Sequence, residues 1–147
     1  DCEEAVVMEL EVRFLKKCDI KETTKLISNF FNIKDMNNGY EKITRKRLDK
    51  SIIAIMNNEI IGHILIEEKY DANEDKIFYW LNYVCVKDEY QGSGIASRML
   101  KKLEQYAKDK DIYCIQFKSS NFRKKAHACY LKNDYRKLDT TVFQKII

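Results

Sequence analysis

Two of the four glycines in this 147-residue, proline-free chain stand within three residues of each other, in Tyr90-Gln91-Gly92-Ser93-Gly94-Ile95-Ala96. Glycine admits a left-handed backbone without a Cβ clash, so a sharp turn is allowed here. The flanks give that turn a direction. Val84-Cys85-Val86 ends a β-branched, aromatic run, and Ile95, Met99, Leu103 and Tyr106 recur behind it at helical spacing. Strand, glycine turn and helix together point free backbone N–H groups, aided by the helix dipole, at an anion. A turn with no ligand would satisfy the glycines alone. A P-loop is excluded, because Ile95-Ala96 stands where Lys-Ser/Thr is required. A dinucleotide site lacks its third glycine and its acid, since the next strand ends at Phe117-Lys118.

The remaining segments suggest one domain with strands first and a βαβα unit after them. Glu9 to Leu15 reads as an edge strand, and Asp19 with Glu22 reads as a capping box opening a helix through Phe31. A second, basic helix is expected over Tyr40 to Asp49. Ser51 to Met56, the Asn57-Asn58 turn and Ile60 to Tyr70 form a hairpin, and Ile77 to Val86 a third long strand. Helix Ile95 to Lys108, strand Ile112 to Phe117, helix Phe122 to Lys132 and a closing hairpin from Tyr135 to Ile147 complete the α/β order, a mixed sheet with helices on both faces. Residues 1–7 fit this plan poorly and read as a leader or expression remnant, with the domain over 8–147.

Charge and cysteine usage restrict the partners. A net charge of +4, from 27 basic and 23 acidic side chains, is too mild to demand nucleic acid or a membrane. Lys42 to Lys50 carries five basic residues and one acid, and Lys118 to Lys137 seven and one. Both read as solvated faces rather than a phosphate track. No apolar run approaches the roughly 18 residues of a bilayer span, since the longest, Ile60 to Ile66, contains Gly62 and His63. Five dispersed cysteines without a C-x-x-C, and two histidines, argue for free thiols in the cytoplasm and no metal.

Gln91-Gly92-Ser93-Gly94-Ile95-Ala96 resembles the Q/R-x-x-G-x-G/A signature of the GCN5-related N-acetyltransferases. Trp80 to Val86 is similar to the strand before that signature, Arg123, Ala126, His127 and Tyr130 match R-x-x-A-H-x-x-Y, and Arg13 and the Asp19 helix extend the likeness over nearly all of the chain from Met8. The resemblance implies a single-domain, mostly antiparallel sheet with a splayed pair of central parallel strands. It also implies acetyl-CoA as co-substrate, bound by Gln91, Gly92, Ser93, Gly94, Ile95 and Ala96 at its pyrophosphate and by Val84, Cys85 and Val86 along its pantetheine arm, with Asn121 and Tyr130 also contributing. The catalytic groups it implies are the Val84 N–H as oxyanion donor and Tyr130 as general acid, with transfer direct to a primary amine; an acyl-cysteine at Cys85 or Cys129 is rejected because the sequence gives neither a partnered histidine. Asn82 stands where many relatives carry an acid, so the base is open among water, Tyr83, Glu67, Glu68 and a substrate amine of low pKa. The same asparagine motivates the alternative, an acetyl-CoA sensor with little catalysis. Asp134 replaces a helix-ending glycine, and Val142-Phe143 with Ile146-Ile147 suggests a homodimer.

Overall fold

The computed structural model describes residues 9–34, 36 and 39–147; the expectation for residues 1–7 lies outside them. Five strands form one sheet in the order of the chain: β1 (Glu11–Phe14), β2 (Ser51–Met56), β3 (Glu59–Asp71), β4 (Lys76–Val86) and β5 (Ile115–Phe117). The first four pair antiparallel and β5 runs parallel to β4. The β2–β3 connection is Asn57-Asn58, both left-handed (φ 52° and 60°), as a two-residue hairpin turn requires.

Helices cover both faces. α1 (Ile20–Phe30) and α2 (Gly39–Lys46) lie on one, where Ile20 and Leu26 meet Ile53, Ile60 and Cys85, and Ile27 and Tyr40 meet Leu65. α3 (Ile95–Asp109) lies on the other, and α4 (Lys124–Lys132) packs beside α3. Ile95, Met99, Leu100, Leu103 and Ala107 form the buried stripe of α3 against Ile52, Ala54, Ile61 and Ile64. Each such side chain contributes roughly 1.5–3 kcal/mol on burial. Gly62 allows this close approach, because a Cβ there would stand 3.0 Å from Met99 Cε and Sδ and 3.1 Å from Ala54 Cβ.

Five expectations need correction. The Asp19–Glu22 capping box does not form, because Arg13 on β1 takes the Asp19 carboxylate (2.7 and 3.2 Å) and Glu22 accepts the Ile60 N–H (3.2 Å). Asp19 ends a short 3-10 turn, Lys17–Asp19, instead. The basic helix stops at Lys46 and is followed by a separate turn at Leu48–Lys50. β5 is three residues long, because Ile112 is spent closing α3 through its N–H to the Ala107 carbonyl (2.9 Å). Residues 135–147 form no hairpin. The stretch 136–147 holds no glycine or asparagine for a tight turn. Among the described residues no strand lies beyond β5, so the parallel pair expected at the centre is at the margin of the sheet. Asp134 does adopt the left-handed conformation (φ 67°).

Candidate active site

The glycine turn bridges the end of β4 and the start of α3. Gly92 (φ 83°) and Gly94 (φ 77°) are both left-handed, and neither would bring a Cβ within 4 Å of another group. Conformation, not crowding, therefore requires glycine here. Gln91 ties the turn down by donating from Nε2 to the Val86 carbonyl (3.0 Å) and the Asp88 carboxylate (3.1 Å). Gln91 to Gly94 are exposed while Ile95 is buried, so the helix is anchored and its leading N–H groups face solvent.

Beside the turn, β4 departs from a regular ladder. His63 pairs with Cys85 and Leu65 with Asn82, so two steps on β3 oppose three on β4. The extra residue is Tyr83, left-handed at φ 51°. Asn82 and Tyr83 consequently both face α1 and α2, whereas Val84 and Val86 pack toward α3. On its other side β4 pairs with β5 only at Tyr79, Trp80 and Leu81. From Asn82 to Val86 no β5 residue opposes β4, so this stretch is unpaired on its β5 side.

Tyr130 on α4 stands where that pairing ends. Its ring meets Phe117, the last β5 residue, edge-on at 4.8 Å. Its hydroxyl has no hydrogen-bond partner among the described residues. Burial pushes its pKa up to about 12, with Arg123 acting in the opposite direction. Burial also pushes the Cys85 thiol up to about 12, so it is a poor nucleophile at neutral pH. Cys129 lies 3.7 Å from Ser97 Oγ, with Asn133 Nδ2 at 3.7 Å from its sulfur, in the α3–α4 contact. His127 Nε2 is buried without a partner among the described residues. Asn121 sits exposed in the turn before α4.

Strand alternation separates the two β3 carboxylates. Glu67 shares the α1–α2 face with Asn82, whose Nδ2 donates to it (3.2 Å). Glu68 is on the α3 face, held by Lys50 (2.9 Å) and Arg47 (3.8 Å), so it leaves the list of candidate bases. On the α1–α2 face, Ile33, Met36, Tyr40, Ile43, Leu65 and Tyr83 line a cleft of about 280 Å³. Phe31 packs edge-on to Tyr83 (5.8 Å), and the Arg123 guanidinium lies over Phe30 (4.7 Å) and Phe31 (5.3 Å), joining the head of α4 to the end of α1. Sequence reasoning passed over Tyr40, Phe31 and His63. The available signal was a histidine inside the isoleucine-rich strand Ile60 to Ile66.

The model of the acetyltransferase (GNAT) family matches residues 15–135. No curated protein matches the sequence significantly. Solved structures do. An aminoglycoside acetyltransferase, meta-AAC0020, from an uncultured soil metagenomic sample superposes with a TM-score of 0.80 at 15% identity, covering 94% of this chain and 96% of that one. A predicted acetyltransferase from Clostridium acetobutylicum, crystallised with acetyl-CoA, gives 0.73 at 20% identity, over 93% and 96%. A ribosomal-protein-alanine N-acetyltransferase from Brucella melitensis biovar Abortus 2308 gives 0.79 at 13%, over 94% and 99%. At these identities the likeness establishes the fold.

Proposed function

Since this chain belongs to the acetyltransferase (GNAT) family, we propose that it takes acetyl-CoA as co-substrate and moves the acetyl group directly to a primary amine of a small molecule. One arrangement carries this reading: a glycine turn with two left-handed residues at the head of α3, beside a strand that bulges at Tyr83 and parts from its parallel neighbour. The residues fit the group. Exposed N–H groups over Gln91 to Ala96 suit the pyrophosphate, and the backbone of Val84, Cys85 and Val86, free of β5, suits the amide-bearing pantetheine arm.

Acetyl-CoA supplies an electrophilic thioester carbonyl and a thiolate leaving group. The Val84 N–H is assigned to the carbonyl oxygen, where charge develops as the amine attacks. Tyr130, protonated across the neutral range, is assigned to donate a proton to the departing sulfur. A new C–N bond replaces the C–S bond. The proton released by the amine passes through water toward Glu67, the carboxylate that Asn82 holds on the acceptor side. The buried, raised thiol of Cys85 supports direct attack over an acyl-enzyme.

The cleft of about 280 Å³ supports a small acceptor. Cys18, Cys85, Cys114 and Cys129 are free thiols, which supports a cytoplasmic setting. No helix among the described residues is long and apolar enough to cross a membrane. Within the basic runs Arg45 pairs with Glu41, Arg47 with Asp49, and Arg123 covers phenylalanine rings, which supports solvated faces over a nucleic-acid track. The exposed segment 136–147 and the open edge of β5 support a homodimer.

The test is thiol release from acetyl-CoA against a panel of amines, with Tyr130→Phe alongside. Turnover on at least one amine, depressed in the variant, is the expected result. Saturable CoA binding with no turnover on any amine would replace this reading with that of a sensor.

A further inference from the structure

His63 is fully buried in the middle of β3, and nothing in the chemistry above uses it. Its Nδ1 lies 2.8 Å from the carbonyl oxygen of Tyr83, the bulge residue. A carbonyl only accepts, so Nδ1 carries the proton. Burial lowers the imidazole pKa to about 4, so the ring is neutral at pH 7 and its Nε2 is a bare acceptor. The Tyr40 hydroxyl, 2.9 Å away, therefore donates to Nε2. The two rings meet edge-on at 5.3 Å, and Tyr40 Oη is 3.4 Å from Ser51 Oγ. Tyr40 is itself buried, on α2. Tautomer and orientation of the imidazole are thus fixed from both sides.

The peptide between Tyr83 and Val84 is trans and planar, so its C=O and N–H point in opposite directions. The C=O points to His63 on β3. The N–H of Val84 then points away from the His63 imidazole, on a stretch of β4 that β5 does not pair. We infer that His63 is a positioning residue: its Nδ1–H holds the Tyr83 carbonyl and thereby aims the Val84 N–H at the thioester oxygen. The bond also offsets the strain of a left-handed tyrosine, about 1–2 kcal/mol. It satisfies a carbonyl that the bulge removes from the ladder. The inference rests on the assignment of Val84 as oxyanion donor.

The test compares His63→Phe, which keeps ring volume without the donor, with His63→Asn, whose amide N–H can replace Nδ1–H. With the most active amine of the panel, His63→Phe is expected to lower kcat by about 10²-fold, the cost of a lost oxyanion donor. Its acetyl-CoA Kd by calorimetry should stay within about threefold, because one misdirected N–H is a small part of that contact. His63→Asn should recover most of the loss in kcat. In the wild type, nitrogen NMR should show His63 as the Nδ1–H tautomer, unchanged between about pH 5 and 9 given its low pKa. An Nε2–H tautomer would overturn the inference, as would a wild-type kcat in His63→Phe or a deficit that a well-folded His63→Asn does not relieve. If His63→Phe fails to fold, His63→Asn, Tyr40→Phe and the tautomer decide instead, Tyr40→Phe lowering kcat with the Nδ1–H signal broadened. Absence of thiol release by the wild type with every amine would instead remove the acetyl-transfer reading, with the tautomer still reporting the hydrogen bond.

Discussion

The proton-donor role proposed for Tyr130 rests on burial, which outweighs the opposing effect of Arg123 on its hydroxyl. Titrating near 12, it stays protonated across the working range of any such enzyme. Activity should therefore rise with pH as the acceptor amine loses its proton, up to that amine's own pKa, with no alkaline decline from Tyr130 below about pH 10. A pH profile of kcat/KM checks this, and Tyr130→Phe should lower kcat by about 10²–10⁴-fold. Asp19 makes the opposite electrostatic case. The Arg13 guanidinium bonded to its carboxylate holds its pKa below the usual range. A depressed acid stabilises the fold above its unfolded pKa, near 3.9, and that stability disappears as pH falls through the folded value. Asp19→Asn should cost about 1.5–3 kcal/mol at pH 7 in urea unfolding, with the gap to wild type closing below about pH 4.

At the scale of elements, the tightest contact is that of α3 on the sheet at Gly62. The Met99 side chain can swing aside from a new Cβ, but Ala54 Cβ at 3.1 Å cannot. Gly62→Ala should therefore destabilise by about 1–3 kcal/mol in a denaturant melt, and the double variant Gly62→Ala/Met99→Leu should recover only part of that. The elements most legible in the sequence were those whose signals are local. The Asn57-Asn58 turn and the stripe of Ile95, Met99 and Leu103 lie within a few residues of the structure they cause, and both formed where expected. The glycine turn was legible for the same reason. The departure of β4 from regular pairing was expected through family resemblance, but its position at Tyr83 was not, because a bulge is a relation between two strands and tyrosine is an unusual residue at φ 51°. Asp19 misled because the competing partner, Arg13, comes from another element. The Tyr40–His63 pair spans 23 residues and two elements, so the local signal, a histidine in an isoleucine-rich strand, did not name its partner.

For the molecule as a whole, segment 136–147 is unlike the rest. Val142 is 70% exposed, Phe143 91% and Ile146 85%, and the strand nearest in the chain with an open edge is β5. Exposed apolar side chains and an open strand edge both support the proposed association of two copies. Sedimentation equilibrium should show a dimer, and a chain ending at Lys137 should sediment as a monomer. The bulge in β4 has a consequence for the molecule too. Leu81 and Tyr79 on one side of Tyr83, and Val84 and Val86 on the other, already face α3 together, so removing Tyr83 would leave every remaining side chain of the strand on the face it now occupies. A chain lacking that single residue is expected to fold into a plainer sheet, with a cooperative but lowered circular-dichroism melt, since Phe31 and His63 lose a partner, and no thiol release. The gap between an inert scaffold and a working catalyst would then be one amino acid, deleted rather than changed.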